Sequence, residues 1–244
     1  VRGCLDRLMS QNYIGRTGDT YNFLTDEEQD IQREIRDTNV DTVSIVERIA
    51  KMIYGDIFKT SKFRYGNNDF AFDKMVDGIT VGVATGGMCL RFLTVAIDAI
   101  EKTDYRLMAE SKGNEAIVVL ADTPYYESLE SAMKIRKYVM QRNVSSLPDT
   151  VQKIIENQQS EAGKYELSAM TELQNAIEGA QFYVDGEHLE IKAGNAKSKI
   201  DQSLEYLVAH VYSKLDLITD NAGSDADIIA ILTGAVTALP GMEP

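Results

Sequence analysis

Cysteine is nearly missing from this sequence, with only Cys4 and Cys89 among 244 residues. Two thiols make no disulfide framework, which excludes a stapled secreted scaffold and makes a reducing cytoplasm the expected setting. Histidine is as scarce. His188 follows a turn signal and His210 falls inside a helical pattern, with no Cys or second His at metal-ligand spacing. Asp220, Asp225 and Asp227 lack the Gly and the terminal Glu of a calcium loop. No apolar run approaches the roughly 20 residues needed to span a bilayer, so no membrane association is expected. The first residues, Val-Arg-Gly-Cys, offer neither an initiator Met nor a signal-like stretch, so the sequence reads as an excerpt from a longer protein. Cations are outnumbered, 25 against 38 acids, for a net charge of −13. That balance excludes a chain that coats nucleic acid along its whole length, because phosphate binding needs concentrated Lys and Arg. A local basic face remains open.

What is there centres on residues 115–143. Ile117, Val118, Val119 and Leu120 form an apolar, β-branched run, as expected of a strand covered on both faces. Asp122, Thr123 and Pro124 close it, with Thr123 the expected N-cap and Pro124 the first position of a helix. Leu129, Met133, Ile135, Val139 and Met140 give that helix an apolar side.

Upstream, Leu5, Leu8 and Met9 have helical spacing. Residues 13–16 and 20–24 then flank Thr17-Gly18-Asp19, which suits a β-hairpin. A helix running straight into a hairpin is the pattern of the last helix and wing of a winged-helix fold. Thr25 with Glu28 is a capping box for a helix carrying Ile31 and Ile35. Asp41 or Thr42 caps the next helix, expected to bury Val43, Val46, Ile49, Ala50 and Ile53. The period then moves toward two. Residues 62–65 and 70–72 flank the turn cluster 66–69, Ile79, Val81 and Val83 alternate, and residues 90–97, 106–108 and 115–120 are expected as further strands. After residue 124 the pattern is helical. Residues 151–179 read as one long helix or a broken pair, with Gly163 a candidate kink. Phe182-Tyr183-Val184, Asp185-Gly186 and residues 188–191 form the strongest hairpin signal in the chain. A helix is expected over 196–218, and a short one over 225–232.

Candidate chemistry is thin. A phosphate loop needs Gly, four residues, then Gly-Lys-Ser/Thr. Gly82, Gly86 and Gly87 come nearest, but Met88 and Cys89 stand where the Lys and the hydroxyl belong, so this reads as a hairpin turn. The strand ending at Asp122 imitates a magnesium-holding strand of nucleotide hydrolases, yet Ala121 displaces the acid and Thr123 replaces the usual Glu. No nucleophile motif is present. Lys59, Lys62 and Arg64 beside Phe63 and Tyr65 make the one basic–aromatic cluster. With Arg16 of the first hairpin, these are the candidate DNA contacts, chosen as cations without carboxylates beside them.

Three runs carry a resemblance to a known family. They are LMSQNYIGRTGDTYNFLTDEEQDI at residues 8–31, AIVVLADTPYY at 116–126 and FYVDGEHLEI at 182–191. Together they resemble an internal segment of the BrxC family, the large P-loop, AAA+-type ATPases of bacterial BREX phage-defence systems, related to PglY. The resemblance implies a region downstream of the ATPase module, with ATP and magnesium bound elsewhere in the full-length protein. It implies other BREX components as partners, the DNA methyltransferase among them, with self-association and weak DNA binding as further candidates. It transfers no catalytic, cofactor-binding or metal residue, because the family's nucleotide-binding motifs are outside this chain.

The expected fold is α+β: a winged-helix remnant, then a mixed or mainly antiparallel sheet of about five strands, packed with a largely helical C-terminal half. The expected division is 1–25, 26–124 and 125–244, with the hairpin near 182–191. The expected role is a non-catalytic middle region of a BREX anti-phage defence ATPase, serving complex assembly, DNA engagement or both. The alternative is an independent enzyme domain, a degenerate nucleotide-binding or nuclease-like fold using the sheet.

Overall fold

A computed structural model describes residues 2–11, 13–17 and 20–212 of the chain. Two antiparallel strands, β1 (Ile14–Thr17) and β2 (Thr20–Phe23), follow the helix α1 (Arg2–Ser10) and make a two-stranded sheet of their own. The capping box forms as its residues dictate: Thr25 accepts from the Glu28 amide at 3.3 Å and the Glu28 carboxylate accepts from the Thr25 amide at 2.8 Å. It starts α2 (Asp26–Asp37), whose Ile31 and Ile35 are buried. Asp41 then caps α3 (Thr42–Met52) by accepting from the Ser44 amide, and a π-helical turn, Ile53–Ile57, ends it.

The main sheet is built from β3 (Lys62–Tyr65), β4 (Asn68–Val76), the short β5 (Ile79–Thr80), β6 (Met88–Leu93), β7 (Glu115–Val119), β8 (Gln181–Val184) and β9 (Glu187–Leu189). Its path runs β3-β4-β6-β7-β8-β9, with β5 attached to β4. The β4, β6 and β7 strands are parallel, and every other pairing is antiparallel. Thus the sheet is mixed, as expected, with a parallel centre.

Helices cover both faces. Leu93, Leu107, Ile117, Val119 and Tyr183 form one cluster, placing α4 (Asp104–Glu110) on that face. The opposite face carries Leu90, Phe92, Val118 and Phe182, all buried; there Tyr54 meets Phe92 edge-on at 5.7 Å. Its helix α7 (Ala196–Val211) packs on β3, β7 and β8 through buried Ile200, Leu204, Leu207 and Val208. Beside the sheet, α5 (Tyr125–Met140) and α6 (Asp149–Glu178) pair along their length, joined to α2 through Ile31, Ile35, Ala132, Ile135, Tyr138 and Ala162.

Several local expectations are corrected. Residues 106–108 are not a strand but lie in α4, a helix short enough that one buried residue, Leu107, leaves no period to read. Thr123 does not cap α5; its hydroxyl donates instead to the Glu172 carbonyl of α6. The Gly82–Gly87 stretch is not a hairpin turn, because β6 pairs parallel to β4 and not with β5. Gly163 causes no break, since α6 runs unbroken for 30 residues. Val43 and Met140 are exposed, 57% and 85%; they stand at helix ends, Val43 in the first turn of α3 and Met140 as the last residue of α5. The expected helix over 225–232, and the end of that over 196–218, lie outside the described residues.

Candidate functional site

In a parallel sheet, ligands bind outside the C-terminal ends of the strands. Here that end holds Asp77, Thr94, Lys102, Asp122 and Tyr125. Asp77 directly follows β4 with φ of 46°, a left-handed conformation that Asp tolerates better than most residues. Its carboxylate accepts from the Thr94 amide at 2.7 Å and from the Thr94 hydroxyl, and its own amide donates to the Phe92 carbonyl. The Tyr125 hydroxyl accepts from the Val95 amide at 3.0 Å. Burial raises the pKa of Asp77, opposed by the Thr94 hydrogen bonds and by Lys102. Burial likewise lowers that of Lys102. Asp77 through Thr94, and Tyr125 through Val95, thus hold the loop after β6 over the strand ends, with Asp122 exposed beside them.

A second carboxylate closes the glycine-containing loop. Asp73 accepts from the Thr85 amide, the Thr85 hydroxyl at 2.8 Å and the Gly86 amide at 3.0 Å. The Thr85 amide is the chief cause of its lowered pKa. Backbone amides of this kind are what a phosphate would need. Here the chain's own carboxylate occupies them.

Cys89 lies between Glu115 and Arg91. Burial first, and the Glu115 carboxylate next, push its thiol up to about 12, so it stays protonated and is no nucleophile at neutral pH. Arg91 reaches Glu110 at 2.6 Å and Glu115 at 2.8 Å. Burial nonetheless raises the Glu115 pKa. Among the described residues, no group of three or more His, Cys, Asp or Glu could hold a metal ion.

The basic candidates are only partly brought together. Lys62 and Arg64 share one side of β3, and Lys59 precedes it; all three are exposed. Lys59 and Lys62 have no ion-pair partner among the described residues. Arg64 does: its register partner Asp69 on β4 reaches it at 3.4 Å. The expectation that these cations stand clear of carboxylates is therefore corrected at Arg64. Arg16 belongs to the separate two-stranded sheet, in register with Tyr21. Sequence reasoning missed Asp73 and Asp77; the Asp77-Gly78 turn signal was visible, but the distant loops that each aspartate secures were not.

Fold and site together define an α+β domain whose polar groups at the sheet ends are spent on holding loops. Residues 38–207 match the family described as BREX ATP-binding protein BrxC 4th domain with six-stranded beta sheet, and the continuous path β3-β4-β6-β7-β8-β9 has that number of strands. The match covers more than half of the chain, and the chain belongs to this BrxC family of BREX defence systems. No solved structure matches it. Among the described residues, no helix is long and apolar enough to cross a membrane.

Proposed function

We propose that this chain is a non-catalytic, cytoplasmic region of a BREX anti-phage ATPase whose work is assembly of the defence complex. The observation that carries this reading is the internal commitment of Asp73 to the Thr85 and Gly86 amides and of Asp77 to Thr94. It leaves these two carboxylates, one at each end of the parallel strands, engaged in structure, with Asp122 exposed beside the second. On this reading residues 1–25 are the end of a winged-helix-like module, 26–124 the helices and sheet, and 125–244 the helical half with its hairpin. ATP and magnesium belong to other parts of the full-length protein. The partners are other BREX components, including the DNA methyltransferase, or a second copy. The test is a pull-down with the tagged 244-residue chain against the other components of its own system. Retention of at least one at physiological salt is expected, and retention of none overturns the reading.

A second reading, direct DNA contact, is favoured by exposed Lys59 and Lys62 beside Phe63 and Tyr65. A salt-dependent DNA titration tests it, as argued below.

A further inference from the structure

The sheet path ends on β9, and among the described residues no further strand pairs with that edge. The β8–β9 hairpin turns through Asp185 and Gly186, both with positive φ (51° and 80°), which is the two-residue turn that sets Val184 and Glu187 as a hydrogen-bonded pair. Alternation then directs the N–H and C=O of Glu187 and Leu189 toward β8 and those of His188 away from it. The outward groups of His188 have no backbone partner among the described residues. Alongside lies a groove of about 570 Å³, lined by consecutive residues 187–192, by Tyr206 and Glu205 of α7, and by Tyr65 at the tip of the β3–β4 hairpin.

The charge of this groove selects its occupant. Glu187, Glu190 and Glu205 line it against one cation, Lys192. Glu187 accepts from the Tyr206 hydroxyl at 2.7 Å, whereas Glu190 and Glu205 are exposed. A second copy pairing edge to edge would bring the same acidic groove residues, Glu187, Glu190 and Glu205, up to these, a juxtaposition of like charge that disfavours the pair. The chain's own residues 213–244 carry one Lys against four Asp and one Glu, so they suit the groove no better. A cationic strand meets neither objection: its backbone can complete the ladder at His188, its ammonium or guanidinium groups can reach Glu190 and Glu205, and Tyr65 and Tyr206 line the same groove.

We propose that the open edge of β9 takes an extended, basic segment of a partner protein, added to the sheet as a further strand. This rests on the assembly reading and names the chemistry of the partner.

The test uses the full 244-residue chain and a fluorescent peptide of about eight residues alternating Lys and Val, followed by anisotropy at low salt. Its companions are an alternating Glu–Val peptide, a Lys–Val peptide N-methylated at every second amide, and the variant Glu190→Lys, Glu205→Lys. Both substituted positions are exposed, and a thermal melt checks that the variant folds. The Lys–Val peptide should bind at least about tenfold tighter than the other two, and lose about tenfold in the variant, a difference of about 1.4 kcal/mol. Equal binding of the N-methylated peptide would reduce the effect to charge alone and overturn strand addition. Unchanged binding in the variant would place the contact elsewhere, and a dimer that the peptide dissociates would assign the edge to a second copy. Either result overturns the proposal. The pull-down separates the two readings. Partners retained equally by the wild type and by the variant leave assembly standing and remove β9 from it; a bound peptide with no partner retained does the reverse.

Discussion

Two aspartates, one on β4 and one directly after it, do the same job in opposite surroundings. Asp73, near the start of β6, gathers the Thr85 and Gly86 amides at the water's edge. Asp77, where β4 ends, gathers the amide and hydroxyl of fully buried Thr94. The first, accepting three hydrogen bonds, is held below the ordinary carboxylate range by them; the second, accepting two, is raised by burial despite them. What differs is solvent. With water near, the donors decide the charge state, and away from water desolvation outweighs them. One end of the parallel strands is therefore a wet rim, carrying the β3–β4 hairpin and its lysines, and the other is a sheltered closure.

The largest effect should come from the strand between these ends. Val119 is 9% exposed and belongs to the cluster with Leu93, Leu107, Ile117 and Tyr183. Val119→Asp places an unpaired carboxylate there at a cost of several kcal/mol, against a total stability of about 5–15 kcal/mol. Loss of the cooperative melt, or recovery only in the insoluble fraction, is expected. A soluble, cooperatively melting variant would mean that β7 is not the centre of the sheet.

Next come the aspartates themselves. Asp77→Ala strands the Thr94 amide and hydroxyl out of reach of water and puts Ala at a positive φ. A loss of about 2–3 kcal/mol in denaturant unfolding is expected. For Asp73→Ala, where water can replace the carboxylate, less than about 1 kcal/mol is expected after solvent screening. Equal losses would erase the distinction between a wet and a sheltered end.

Acid sharpens the same contrast. A carboxyl with a lowered folded pKa stabilises the fold above its unfolded value, near 3.8 for Asp73, and that contribution is lost as pH falls through the folded value. A raised one does the reverse: for Asp77 the contribution is full below 3.8 and is lost as pH rises through the folded value. Comparing each aspartate with its Asn variant from pH 7 downward, the wild type should gain on Asp77→Asn as the medium acidifies. It should lose on Asp73→Asn only below about pH 4. Both gaps moving in one direction would show that burial does not separate these groups.

These distinctions mark how far the sequence could be read. Elements defined by their own residues were legible: the Thr25–Glu28 box, the Asp185-Gly186 hairpin and the buried run of β7. Elements defined by a distant partner were not. Thr123 has the chemistry of a cap, but its hydroxyl goes to Glu172, on a helix nearly fifty residues away. The parallel pairing of β4 with β6 was hidden because no helix connects them; only β5 and the loop around Asp73 do. The site had the same limit. Counting cations near Phe63 located Lys62 and Arg64, while the acid that neutralises one of them stands across the hairpin.

That neutralising acid gives the smallest prediction, and it concerns the wet rim. If DNA meets this chain, Lys59 and Lys62 offer two exposed ammonium groups, while Arg64 is shared with Asp69. Each phosphate neutralised contributes about −0.9 to the slope of log affinity against log salt, so two lysines predict weak, sequence-independent binding with a slope near −2. Asp69→Asn releases Arg64 without changing the hairpin turn; it should tighten binding and steepen the slope by about 0.9. The triple variant Arg16→Ala, Lys62→Ala, Arg64→Ala should flatten the slope by at least one contact. Titrations of one duplex at three or four salt concentrations measure all three proteins. If Asp69→Asn leaves the slope unchanged, Arg64 does not face phosphate. If the triple variant binds like the wild type, the rim is not the DNA surface, and absence of wild-type binding at low salt leaves assembly as the work of this domain.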